Sequence, residues 1–231
     1  MSNQAAWIKE KHGRLGLDEA EIPIPGDNEV FVKIELIAFS PIDLKIQTFG
    51  THPVPYPNIL DKSFASTVQY VGSNVTDLKP GDRIASTRGA KAVGDPRLGA
   101  YQKYALASVS SSSKVSADVD FQGAATSIMN LVTVVSALSI HIGLDRAPLS
   151  GKPEPKNKTV LIYGGSSSTG GLAVRYAVTV GYTVVTTSSP QNRQFVESLD
   201  PAYIIDHTAP AETIAKELRS QGPFDRIFDA I

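Results

Sequence analysis

Gly164-Gly165-Ser166-Ser167-Ser168-Thr169-Gly170 is the stretch whose residue types and spacing point most directly to chemistry. Small side chains let backbone N–H groups approach an anion, and a helix that begins at the end of such a loop turns its positive pole on a phosphate. The apolar run Val160-Leu161-Ile162-Tyr163 before it reads as a strand, and Leu172, Val174, Tyr176 and Ala177 after it mark one face of a helix. Strand, loop and helix in that order suit a nucleotide site. They also suit a plain turn, because the spacing departs from a strict G-x-G-x-x-G.

The remainder of the chain beyond the loop favours the site. Residues 183–187, 203–206 and 224–230 read as strands, with helices over 190–199 and 212–220 between them. Alternation of this kind implies right-handed crossovers and a parallel, doubly wound sheet whose first strand leads into the loop. Other chemistry is poorly supplied. There is no cysteine, so no thiolate nucleophile and no cysteine-based zinc site, and His12, His52, His141 and His207 lack metal-ligand spacing.

The rest of the 231-residue chain must carry the second wall of any active site. With 22 Lys plus Arg against 23 Asp plus Glu, it has no basic face for nucleic acid. No apolar run is expected to reach the ~20 residues that span a bilayer. The N-terminus lacks the pattern of a signal peptide, so a soluble, cytoplasmic protein is the expectation. Residues 29–38 alternate, with Val30, Val32, Ile34 and Leu36 on one face and Glu29, Phe31, Lys33 and Glu35 on the other. Ser40-Pro41-Ile42-Asp43 then opens a short helix: a capping serine, a proline in the first turn and a carboxylate near the positive pole. Pro53, Pro55 and Pro57 hold the next stretch extended, and 64–71, 83–85 and 100–107 read as further strands. Residues 108–113, mostly serine, read as a solvated connection, and 121–142 as a helix buried all round. Two domains are implied, a strand-rich one over 1–120 and a nucleotide-binding one over 121–231.

Taken together, Ser40-Pro41-Ile42-Asp43, Tyr70-Val71-Gly72-Ser73-Asn74-Val75, Leu78-Lys79-Pro80-Gly81-Asp82-Arg83-Ile84, Gly99-Ala100-Tyr101-Gln102-Lys103-Tyr104, Ala124-Ala125-Thr126 and the Gly164–Gly170 loop resemble the medium-chain dehydrogenase/reductase superfamily. The likeness is to its zinc-free quinone oxidoreductase and fungal enoyl reductase branch. It implies a GroES-like N-terminal domain joined to a Rossmann domain, an α/β fold overall, and a zinc-independent, NADPH-dependent reduction of a polarised C=C bond or a quinone, in secondary metabolism. Enones, quinones and enoyl thioesters are the implied substrates.

Zinc-dependent members carry cysteine where this chain has Ser40, and Gly-His-Glu where it has Asp61-Lys62-Ser63. After the second Rossmann strand, Thr186-Thr187-Ser188-Ser189 offers no carboxylate for a ribose 2′-hydroxyl. Ser188, Ser189, Asn192, Arg193 and Tyr203 offer donors to a 2′-phosphate instead, hence NADPH over NADH. Relatives often have Lys where this chain has Asn192, and Tyr where it has His207. The resemblance also puts His52 in the place of a substrate-facing tyrosine, where its ordinary pKa of ~6.5 suits proton donation; a surface loop histidine is the alternative. Thr133 matches a threonine beside the nicotinamide, or else is a buried helix threonine bonded to its own backbone. Ser40 and Gln47 are further candidates for the cleft.

Relatives continue past the position of Ile231 with two more strands. With the strand order 3-2-1-4-5-6, a chain ending there leaves its fourth strand as an open edge that invites another copy or a partner chain. A catalytically inactive nucleotide-binding relative, or a truncated product without function, is the alternative to an active enzyme.

Overall fold

The computed structural model describes residues 1–51, 53–89, 92–148 and 153–231. The chain forms two compact units, Met1–Met129 and Asn130–Ile231.

The first unit is built from two antiparallel sheets. In one, β1 (Asn3–Ile8) pairs with β2 (Leu15–Ala20) and with the short β4 (Asn58–Ile59). In the other, β3 (Glu29–Ile37) lies at the centre beside β5 (Ser63–Val71), with β6 (Arg83–Thr87), β7 (Tyr104–Ser108) and β8 (Ser112–Lys114) completing the order β7-β3-β5-β6-β8. Val30, Val32, Phe64, Val68, Ile84 and Ala105 fill the core of this sheet. A second core of Ala5, Ile8, Ile59, Leu60 and Tyr101 takes Ile46 of α1 (Pro41–Phe49). That helix starts as the sequence requires. Ser40 Oγ accepts from the Ile42 N–H, Pro41 occupies the first turn, and Gly50 ends the helix at φ +59 with its N–H on the Ile46 carbonyl.

In the second unit β9 (Thr159–Tyr163), β10 (Thr183–Ser188), β11 (Tyr203–Asp206) and β12 (Arg226–Asp229) form a parallel sheet in the order β11-β10-β9-β12. It is the expected 3-2-1-4 arrangement. Alternate β9 side chains point to opposite faces. Val160 and Ile162 pack with Val174 and Ala177 of α3 (Ser168–Val180), while Leu161 packs with Val185, Ile205 and residues Ile214 and Leu218 of α5 (Ala211–Gln221). Helices on both faces make the sheet doubly wound.

Several expectations need correction. Phe31, assigned to the polar face of β3, is 2% exposed because it stacks between Tyr70 and Tyr104 on the neighbouring strands. The strand read over 100–107 begins only at Tyr104; before it, Ala100 and Tyr101 donate to the Leu60 carbonyl and Lys103 to that of Gln4, so the segment bridges the two sheets. The serine run is no loose connection. Ser112 Oγ bonds to the Ser108 carbonyl and to Ser86 Oγ, and β8 extends the sheet beyond β6. The β1–β2 hairpin was not expected from the sequence pattern; buried Asn3 anchors it by donating to the Glu21 and Tyr104 carbonyls.

The long apolar helix forms, as α2 (Phe121–Val135) running on through a π-helical turn to His141. It is not buried all round. Ala125, Val134 and Leu138 are buried, but Leu131, Val132 and Ile140 are exposed. By length and composition its 21 residues suffice to cross a membrane, contrary to the expectation that no such run exists. Composition identified the helix without saying which faces are covered.

Truncating Ile162, fully buried between β10 and α3, to alanine should cost about 2–5 kcal/mol, read as a lowered urea midpoint of the second unit.

Candidate functional site

The loop after β9 is fastened on both sides. The Gly164 N–H donates to Thr187 Oγ1 at 2.8 Å, and the Gly165 N–H to the Thr187 carbonyl at 2.9 Å. Gly164 takes φ +88, a left-handed conformation that a side chain would strain. Ser167 caps α3: its Oγ accepts from the Gly170 N–H at 3.0 Å and donates to the Gly164 carbonyl at 2.9 Å. A methyl group on Gly170 would run into that carbonyl oxygen. The loop therefore lies against the first turn of the helix, and glycine is what permits it.

Side chains here are largely engaged with the protein. Ser168 Oγ accepts from Asn130 Nδ2 at 2.9 Å, and Thr169 Oγ1 donates to Asn130 Oδ1 at 3.4 Å. The loop thus offers an anion chiefly backbone N–H and the pole of a 13-residue helix. These residues fit the diphosphate of a dinucleotide.

The strand-end candidates divide. Ser188 and Ser189 are buried, Ser188 Oγ donates to the Ser189 carbonyl, and Asn192 Nδ2 donates to Ser189 Oγ at 3.2 Å. These three come together. Arg193, at the start of α4 (Arg193–Glu197), pairs with Glu197 at 2.9 Å, and Tyr203 Oη donates to Glu217 of α5 at 3.5 Å. Sequence reasoning gave no role to Asp206, which lies opposite Ser188 across the β10–β11 ladder. Hydrogen bonds from Thr208 hold its carboxyl below the usual range, helped by His207 and Arg193. His207, whose backbone N–H donates to the Ser188 carbonyl, keeps a buried Nδ1 without a hydrogen-bond partner among the described residues.

Of the other candidates, His52 lies outside the described residues. Thr133 is exposed on α2. Ser40 caps α1, and Gln47 donates to the Gly13 carbonyl at 3.2 Å, a tie to the turn between β1 and β2. Lys62 stands half-buried between Asp61 and Ser63. Beside it lies a group that sequence reasoning missed. Asp43, Asp61 and Arg88 are all nearly inaccessible, and Arg88 donates to the carbonyls of Ile59, Ala92, Val93 and Asp95. Nothing in their spacing along the chain joins them; the fold does. Among the described residues, no group of three or more His, Cys, Asp or Glu side chains is placed to hold a metal ion.

Residues 26–117 match the alcohol dehydrogenase GroES-like domain. The chain is 33% identical over 211 residues to the trans-enoyl reductase tazE of Aspergillus terreus, covering 89% of this chain and 68% of that protein. Among solved structures, an alcohol dehydrogenase superfamily protein from Novosphingobium aromaticivorans superposes with a TM-score of 0.84 at 24% identity, over 99% of this chain and 66% of the other. The quinone oxidoreductase of Escherichia coli, solved in complex with NADPH, gives 0.73 at 22% identity, over 97% and 64%. Against other curated relatives the chain spans 59% to 62% of their length.

Gly170→Val should abolish dinucleotide binding in a fluorescence titration while the first unit keeps its unfolding transition. Ser167→Ala, which removes the cap, should destabilise the second unit by about 1 kcal/mol.

Proposed function

This chain belongs to the medium-chain dehydrogenase/reductase superfamily, and from that premise we propose that it is a zinc-independent, NADPH-dependent reductase of polarised C=C bonds or quinones. The observation that carries the proposal is the Gly164–Gly170 loop, pinned to Thr187 and closed on α3 by Ser167. The helix pole and the loop's backbone N–H groups other than those of Gly164, Gly165, Ser167 and Gly170 would hold the diphosphate. Ser189 and Asn192, already bonded to each other, would meet the 2′-phosphate with Arg193 and His207 alongside. That preference rests on Thr186–Ser189, which ends β10 without a carboxylate.

When bound, the reduced nicotinamide supplies hydride to an electron-poor carbon. The protein's part is to hold the substrate carbonyl, stabilise the charge that develops on its oxygen, and deliver a proton. We assign proton delivery to His52, with Ser40 and Thr133 as donors toward the substrate. Zinc independence rests on donor chemistry: Ser40 is a poor zinc ligand, the Lys62 ammonium is none, and the sequence contains no cysteine. Likeness to the trans-enoyl reductase tazE and to a quinone oxidoreductase supports an enoyl thioester, enone or quinone as substrate.

The test is titration of the purified chain with NADPH and NADH, followed by turnover with an enoyl thioester and a quinone. NADPH should bind at least tenfold more tightly, and Ser189→Asp should reverse much of that difference by setting a carboxylate against the 2′-phosphate, about 1.4 kcal/mol for each factor of ten. EDTA should leave turnover unchanged, and His52→Ala should lower kcat about 100-fold. Equal affinity for the two nucleotides would refute the 2′-phosphate assignment, and tight binding without turnover would mark a nucleotide-binding relative.

A further inference from the structure

The first unit buries charge that the reductase reading leaves unused. Asp43, in the first turn of α1, is 5% exposed and Asp61 is 1% exposed. They meet through the backbone: the Asp61 N–H donates to Asp43 Oδ1 at 3.1 Å. Asp61 Oδ1 in turn accepts from the N–H groups of Lys62 and Ser63, at 2.6 and 3.1 Å. One oxygen of each carboxyl is therefore engaged. The other two, Asp43 Oδ2 and Asp61 Oδ2, are sealed from solvent and have no hydrogen-bond partner among the described residues. Asp61 also sits at φ +76, in the left-handed region that Asp tolerates better than most side chains.

Among the described residues, three other charged or titratable groups face the two acids: Lys62 on the loop, Arg88 after β6 and Tyr101 before β7. Arg88 gives its N–H groups to backbone carbonyls and to Asn58 Oδ1, so it offsets negative charge without donating to either carboxyl. Two ionised carboxylates would leave two bare anionic oxygens where water does not reach. One proton would relieve this: carried on Asp61 Oδ2, it removes one of the two charges and turns that oxygen into a donor.

We propose that Asp43 and Asp61 are a carboxyl pair sharing a single proton, and that its loss toward alkaline pH loosens the junction between α1 and the loop carrying Lys62. The electrostatics agree. Burial, followed by the neighbouring Asp43 charge, pushes the Asp61 carboxyl up to about 7, and burial raises Asp43 as well against the pull of the Asp61 N–H, Lys62 and Arg88. Asp61 binds its proton more tightly folded than unfolded, where a carboxyl titrates near ~4. Between these values the folded state holds more protons, so stability is greatest below the window and declines as pH rises through it.

The test uses the intact chain and needs no turnover. Difference infrared spectra should show a protonated-carboxyl C=O band that disappears with a midpoint near 7 and is missing in Asp61→Asn. The melting temperature of the first unit should fall from pH 5 to 8 in the unmodified chain, whereas in Asp61→Asn, whose amide replaces the proton as donor, it should stay level and lie higher at pH 8. No such band in the unmodified chain, or parallel melting curves against pH, would overturn the pair. So would a rise in melting temperature with Na⁺, Mg²⁺ or Ca²⁺ that Asp61→Asn lacks, since a cation would then join the two oxygens.

Discussion

The second unit depends on Thr187. From the end of β10 its hydroxyl and carbonyl receive the N–H groups of Gly164 and Gly165, and this tether fixes where the loop after β9 turns. Because it is fixed, Ser167 can cap α3 while bonding back to the Gly164 carbonyl, and α3 starts directly against the loop. The core is built on that placement. α3 lays Val174 and Ala177 on the face of β9 that carries Val160 and Ile162. One pair of hydrogen bonds thus connects sheet, loop and helix, so the same contacts that build the core also aim the helix pole.

The first unit solves a different problem. Its two sheets share no strand, and they are joined by the irregular segment from Ala100 to Lys103, together with buried polar side chains. Asn3 and Gln102 bond to each other and reach carbonyls on both sides, while Arg88 collects the carbonyls of Ile59, Val93 and Asp95. Buried polar groups of this kind are stable only when their partners are present. Asn3, Gln102 and Arg88 meet that condition, but among the described residues Asp43 and Asp61 do so by one oxygen each, and that difference sets them apart chemically.

Much of this was legible along the chain. The strand, glycine-rich loop and helix, and the alternation that follows, are local patterns, with periods of 2 and 3.6 set by backbone geometry, and these elements read correctly from 159 to 229. Ser40 and Pro41 announce α1 because a cap acts within one turn. Misreadings arose where a residue's environment comes from elsewhere in the chain. Phe31 looked polar-facing until Tyr70 and Tyr104 covered it, the serine run looked loose until β6 paired with it, and α2 looked buried because composition says nothing of what packs where.

The sequence by itself therefore determined the elements of the second unit, their parallel order and the place of the glycine-rich loop, since each rests on interactions between near neighbours. It also determined the absence of cysteine ligands. Tertiary structure alone decided that the serines and threonine of the loop are taken up in capping and in bonds to Asn130, leaving backbone N–H for an anion. It alone brought Asp43 against Asp61, 18 positions apart, with Arg88 a further 27 along the chain. Burial and partnership are properties of a place in space, and no pattern of spacing encodes them.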